Sequence, residues 1–320
     1  MSSTKAVMKA IVYRKYGKPE VLELADIPQP EIKAHEVLVE VHAAALNPVD
    51  CEIRKGRARI ATGNKFPRIP GSDFSGKIVE KGASVQGFEI GEEVYGMSKT
   101  LKGGSYAEYL AIPAAEIGRK PEGLNVKEAA SIPLAALTAL QGMRDLAKVS
   151  AGQKVFLHGA SGGVGVYAIQ IAKALGARVT ATCSYRNVDR LKALGADEVV
   201  DYTKGNILHN EHRFHLFYDI YGNQSFRKTK HLLEASGVYV STIPTPQNFL
   251  WEFLSFFSKK KAKVVVVKSL TKDLDVLRKM ADSGQLKPIV DKIYPMEKAQ
   301  EAQEYQESRR AKGKILLEIR

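Results

Sequence analysis

The residues with the most legible chemistry are the glycines of Gly159-Ala160-Ser161-Gly162-Gly163-Val164-Gly165. From Ala160 to Gly165 the chain reads A-x-G-x-x-G, with Ala160 where the usual fingerprint has its first glycine. Glycines let a backbone approach a pyrophosphate. A helix N-terminus behind them offers free N–H groups and the positive end of a dipole. The chemistry implied is dinucleotide binding through Ala160, Ser161, Gly162, Gly163, Val164 and Gly165. A strand must precede such a loop and a helix must follow it. Val155-Phe156-Leu157-His158 is a short apolar run, and Val166, Ile169, Ala172 and Leu175 recur at helical spacing.

A second set of residues selects the dinucleotide. An acid about 20 residues beyond the glycines normally holds the ribose 2′-hydroxyl. In Arg178-Val179-Thr180-Ala181-Thr182-Cys183-Ser184-Tyr185-Arg186-Asn187 no acid stands at the expected strand end, and Cys183 takes the place. Ser184 can donate a hydrogen bond, and Arg186 can pair with a 2′-phosphate through charge-assisted bonds. The expected cofactor is therefore NADPH. For Arg186 the competing reading is a solvated arginine at a helix start.

These loops need a frame. From residue 154 onward strand patterns (155–158, 178–183, 198–202, 214–221, 238–243, 263–268) mostly alternate with helical ones (164–175, 187–194, 225–235). That rhythm predicts an α/β domain with a doubly wound, six-stranded parallel sheet. The earlier residues differ. Val37, Val39 and Val41 alternate with other residues, and prolines and glycines punctuate the stretch (Pro28, Pro30, Pro48, Pro67, Pro70, Gly71, Gly76, Gly82, Gly87, Gly91). They predict a small β-barrel-like domain of short antiparallel strands. After Lys268 come a helix (270–282), a strand (289–294), a helix (297–309) and a last strand (314–319). That strand has no evident partner in the parallel sheet, so the chain is expected to return to the first domain. The domains are then 1–124 with 269–320, and 125–268.

Bulk properties narrow the class. The chain has 320 residues, 44% hydrophobic and 26% charged, enough for two packed domains rather than disorder. Its apolar runs are too short for a bilayer span, and Met1-Ser2-Ser3-Thr4 leads into a strand pattern without a signal-peptide core. Two cysteines, Cys51 and Cys183, cannot build a disulfide framework, so a reducing cytoplasm is the expected compartment. The net charge of +13 admits nucleic acid, anionic membranes or acidic substrates, against a plain solvated lysine surface with a phosphate site.

Several further segments recur together in one family: Ala45-Leu46-Asn47-Pro48-Val49-Asp50, Ile69-Pro70-Gly71-Ser72-Asp73-Phe74-Ser75-Gly76, Gly103-Gly104-Ser105-Tyr106-Ala107-Glu108-Tyr109, Ala136-Leu137-Thr138-Ala139-Leu140 and Leu194-Gly195-Ala196-Asp197. Over nearly its full length the chain resembles the zinc-independent quinone oxidoreductase branch of the medium-chain dehydrogenase/reductase superfamily. The resemblance implies a GroES-like catalytic domain interrupted by a Rossmann domain. It implies NADPH-dependent reduction of quinones or of the C=C bond of α,β-unsaturated carbonyls, and a homodimer through the edge strand at 263–268. It also places Tyr202, Asn223 and Ile243 at the cofactor and Thr138 against nicotinamide or substrate.

Zinc relatives hold their metal with a cysteine and a histidine in the first domain; here Asn47 and Ser72 stand at those positions, and 99–106 carries no cysteine run. No zinc is expected. Asn47 is then a candidate donor to a developing enolate, or else it orders the turn before Pro48. Asp50 is expected to anchor the loop rather than transfer protons. The tyrosines that relatives carry just beyond N-x-x-D are missing, which leaves Lys55, water or bulk solvent as proton source.

Phe249-Leu250-Trp251-Glu252-Phe253-Leu254-Ser255-Phe256-Phe257, followed by Ser258-Lys259-Lys260-Lys261, admits three readings: a lid over the substrate channel, a weak peripheral contact with an anionic membrane, or a helix at a subunit interface. Two rival functions compete with this one. Tyr294-Pro295-Met296-Glu297-Lys298 spells the Y-x-x-x-K of short-chain dehydrogenases, but Pro295 and the strand pattern before it argue against one helix. An RNA-binding or crystallin-like structural protein would use the basic charge, yet no aromatic-rich RNA motif is present.

Overall fold

The computed structural model describes residues 6–205, 207–208 and 212–320. The opening stretch read above as lacking a signal core falls mostly outside them. The chain divides into two compact units, residues 1–134, 268–284 and 288–320, and residues 135–267 with 285–287.

The first unit is built on a seven-stranded sheet, mainly antiparallel, with a separate two-stranded ribbon of Val7–Val12 and Glu23–Pro28. Its central strand is Glu36–Ala45, paired with Asp73–Lys81, Tyr109–Pro113 and Lys314–Glu318. The expected alternation along this strand is incomplete, because Leu38 is buried along with Val37, Val39 and Val41. The last strand does return here: Lys314–Glu318 pairs antiparallel to Glu36–Ala45 and parallel to Val290–Pro295. Tyr294 therefore lies within the strand Val290–Pro295 while Lys298 closes a 3-10 turn, so Y-x-x-x-K does not share a helix.

The second unit is a six-stranded parallel sheet in the order Glu198–Asp201, Arg178–Cys183, Lys154–His158, Phe214–Asp219, Leu233–Ser241, Lys261–Val264. The strand order reverses between Lys154–His158 and Phe214–Asp219. At such a switch point, ligands bind beyond the C-terminal strand ends. Val155, Phe156, Leu157, Leu216, Phe217 and Tyr218 are fully buried there, the near-continuous apolar runs of a sheet covered on both faces.

Three expectations need correction. The helix expected over 225–235 is only Phe226–Thr229 with a 3-10 turn after it, because Leu233 already pairs with Phe214 and opens a bulged strand. The edge strand lies at Lys261–Val264 rather than 263–268, and Val266 beyond it is exposed. The first unit extends to residue 134, since the helix Val126–Ala130 packs on Glu36–Ala45 and Asp73–Lys81 and the Leu134 N–H donates to Asp73 (2.7 Å). Residues 285–287 go with the second unit, where Gln170 bonds both the N–H and the C=O of Lys287 (2.7 and 3.1 Å).

Candidate active site

In the second unit the Lys154–His158 strand ends in Gly159, whose φ of +85° turns the chain. A side chain there would strike Tyr221, with Cβ atoms 2.7 Å apart. The tight-turn role thus falls on Gly159, one residue before the fingerprint, and this is why Ala160 is tolerated. Ala160 and Gly165 are buried against each other: a Cβ on Gly165 would lie 2.5 Å from the Ala160 backbone. These two pack helix on strand rather than facing a ligand. Ser161, Gly162, Gly163 and Val164 form the half-exposed crest. Gly162 caps the twelve-residue helix Gly163–Ala174, and a Cβ there meets nothing nearer than the Gly159 oxygen at 3.8 Å. An open crest at a helix N-terminus is a cradle that a pyrophosphate fits.

Ser184, Arg186 and Tyr202 come together at the ends of two neighbouring strands, with the Tyr202 N–H donating to Cys183 O (3.1 Å). The Arg186 guanidinium is exposed, donates to the Tyr185 hydroxyl (3.0 Å) and lies 5.5 Å from the centre of that ring. The phenol raises its pKa further, so it is a permanent cation. Sequence reasoning missed Asp201, one strand away and in register with Cys183. Its carboxylate is held below the usual range, first by the Thr203 hydroxyl (2.7 Å). It also missed Arg190, whose side chain donates to Ser161 O (3.1 Å) and ties the crest to the next helix.

Asn223 and Ile243 reach the same edge from the next two strands. His158 spans the switch point: Nδ1 lies 3.1 Å from the Thr182 hydroxyl and Nε2 2.7 Å from Asn223 Oδ1. The Gly159 N–H also donates to Thr182 Oγ1 (3.1 Å). This pattern assigns Nε2–H as the donor to Asn223 and leaves Nδ1 accepting from Thr182. His158 directly precedes the glycines, so its place was visible, but its partners were not. Ile243 packs on Gly222, where a Cβ would approach it to 2.2 Å. Thr138 is buried in the helix Pro133–Leu140, and its carbonyl accepts from the Tyr218 hydroxyl (2.6 Å).

In the first unit Asn47 and Asp50 belong to a buried polar cluster where the strands Glu36–Ala45, Asp73–Lys81 and Lys314–Glu318 adjoin. Lys314 Nζ donates to Asn47 Oδ1 (2.6 Å) and to Asp73 (3.2 Å); Asn47 Nδ2 donates to Asp73 (3.0 Å) and weakly to Ala45 O (3.4 Å). Asp50 accepts from the Asn47 N–H (2.9 Å), Ser72 (3.4 Å) and Tyr106 (3.4 Å). Burial pushes Asp50 up to about 7, against the pull of the Asn47 N–H, and the nearby Asp73 pushes the same way. Burial also raises Asp73, while Lys314 pulls it back. The Asp50 carboxylate and the Asn47 N–H form one half of the capping box that opens the helix Pro48–Arg54. Of the two readings of Asn47, this arrangement favours the ordered turn, because its amide already serves Asp73 and Ala45. Lys55 is paired with Glu307 (3.0 Å).

Two family models match: "Alcohol dehydrogenase GroES-like domain" over residues 33–122 and "Zinc-binding dehydrogenase" over 194–317. The chloroplast envelope quinone oxidoreductase homolog of Arabidopsis thaliana is 33% identical, covering 98% of both chains. The NADPH-dependent alkenal/one oxidoreductase of the same plant is 35% identical over 97% of this chain and 79% of its own. The quinone oxidoreductase from Coxiella burnetii superposes with a TM-score of 0.91 at 33% identity, covering 98% of this chain and all of the other. Despite the name of the second model, the donor set does not fit zinc. An amide and a hydroxyl replace cysteine and histidine, and the Lys314 ammonium sits on the Asn47 oxygen that would face a metal. With its GroES-like and Rossmann domains, the chain belongs to the quinone oxidoreductase branch of the medium-chain dehydrogenase/reductase superfamily.

Proposed function

We propose that this protein transfers a hydride from NADPH to quinones or to the C=C bond of α,β-unsaturated carbonyls. It is an oxidoreductase with a nicotinamide cofactor. The finer choice of NADPH rests on one observation: a permanent guanidinium and a serine stand at the end of Arg178–Cys183, where NADH enzymes carry an acid. Asp201, a carboxylate on the neighbouring strand, is engaged by Thr203.

The chain's own residues bind and orient. The 161–164 crest and the helix behind it hold the pyrophosphate. Ser184 and Arg186 take the 2′-phosphate, with Tyr202 beside the adenosine. The His158–Thr182–Asn223 chain fixes the crest relative to the loop after Phe214–Asp219. The cofactor supplies the hydride. A quinone so reduced can draw its protons from solvent, which requires no acid from Asp50 or Lys55.

We also propose a homodimer through the backbone edge of Lys261–Val264, which among the described residues pairs on one side only, with Leu233–Ser241. A cytoplasmic location is supported by two buried free thiols, Cys51 and Cys183.

An acceptor panel tests the reaction class. NADPH oxidation is expected with 9,10-phenanthrenequinone or a 2-alkenal, and no NADP+ reduction with simple alcohols. Alcohol oxidation alone would reject the reading.

A further inference from the structure

Arg190 sits in the short helix Val188–Ala193, which follows the strand Arg178–Cys183 and the turn Tyr185–Asn187. It is half-buried, whereas Arg186 in that turn is exposed. Its guanidinium donates to Ser161 O (3.1 Å), so it reaches from beyond the end of one strand back to the crest at the end of its neighbour. The same charge acts on Cys183. Burial, aided by the Asp201 carboxylate, pushes that thiol up to about 11, and Arg190 pulls the other way. The guanidinium therefore lies between the crest and the strand end that leads into Ser184.

This is the span that the adenosine ribose of a dinucleotide must cross. Its 5′ side leads to the pyrophosphate at the glycine loop, and its 2′ side faces the end of the second strand. Charge balance there calls for more than Arg186. A phosphate monoester carries about −1.5 to −2 at neutral pH. Asp201 adds a negative charge in register with Cys183, kept ionised first by the Thr203 hydroxyl. Against these, Arg186 supplies a single positive charge on an exposed side chain, where water and salt screen it. Arg190 brings another from a half-buried position, where the effective dielectric is lower and an ion contact is stronger. The planar fork of a guanidinium can also serve a carbonyl and a phosphate oxygen together.

We propose that Arg190 is a second cation for the 2′-phosphate of the cofactor, contacting it from the buried side while Arg186 contacts it from the solvent side. The proposal rests on the NADPH reading above and adds a residue to it. Arg190 then has two tasks: it ties the crest to the next helix, and it discriminates between the two dinucleotides. The tie alone would serve NADH and NADPH alike, because both share the pyrophosphate and the adenosine. Only the 2′-phosphate contact separates them.

Fluorescence titration with NADPH and with NADH, without any acceptor, reads that difference as binding rather than turnover. Arg190→Met should weaken NADPH about tenfold or more, as for a lost charged hydrogen bond, and leave NADH nearly unchanged. Arg190→Gln keeps an amide donor for Ser161 O and removes the charge. It should show the same selective loss, and it decides the matter if Arg190→Met does not fold. A wild-type preference for NADPH that survives substitution, whether both affinities hold or both fall together, makes Arg190 only a tie for the crest and overturns the assignment. A wild type with no preference for NADPH overturns the cofactor reading beneath it as well.

Discussion

The ammonium of Lys314 donates to the side-chain oxygen of Asn47 at 2.6 Å, joining residues 267 positions apart inside the first unit. The same ammonium pairs with buried Asp73. At the positions where zinc relatives bind their metal, this chain has an internal cation and a closed hydrogen-bond network. Removing one partner of a buried pair leaves the other charge uncompensated. Lys314→Met should therefore cost about 3–5 kcal/mol in urea unfolding, and adding Asp73→Asn should recover much of it. A single-variant cost near zero would show that the network is not structural.

Asp50 makes stability depend on pH. Burial raises its folded pKa to about 7, above the ordinary 3.8 of an aspartate. A raised carboxyl binds its proton more tightly in the folded state, so its contribution is whole below about pH 4 and lost as pH rises through 7. Relative to Asp50→Asn, the wild type should lose up to about 1.4 kcal/mol per pH unit across that window. Parallel stability curves for the two proteins would contradict this.

Two glycines of one loop should fail differently. Gly165→Ala forces a Cβ into the Ala160 backbone and should destabilise the protein by about 1–3 kcal/mol. Gly162→Ala enters open space, so its melting temperature should hold while cofactor affinity falls by tenfold or more, since the new methyl fills the pyrophosphate cradle. Calorimetric titration beside thermal unfolding reads both. Normal cofactor binding by Gly162→Ala would remove the crest from the site.

Arg186→Ala should weaken NADPH binding about tenfold or more, as for a lost charged hydrogen bond, and leave NADH nearly unchanged. Equal losses for both cofactors would make Arg186 a solvated surface residue.

The parallel sheet was legible because its strands are short apolar runs between glycine turns, and Arg178–Cys183 matches its expected bounds. Where a strand carries polar residues, as Leu233–Ser241 does with Glu234, Ser236 and Gly237, the pattern resembled a helix and the boundary slipped. The crest residues were readable from local spacing. The partners of Asn47 were not, since Asp73 and Lys314 reach it only through strand pairing across the whole chain. Asp201 was not legible for a related reason: it lies on the neighbouring strand and meets Cys183 only through strand pairing.

The most direct test is NADPH oxidation with 9,10-phenanthrenequinone by protein dialysed against a strong chelator. Turnover should persist undiminished and prefer NADPH to NADH by at least about tenfold. Activity that vanishes with the chelator and returns with zinc, or a preference for NADH, would contradict the assignment.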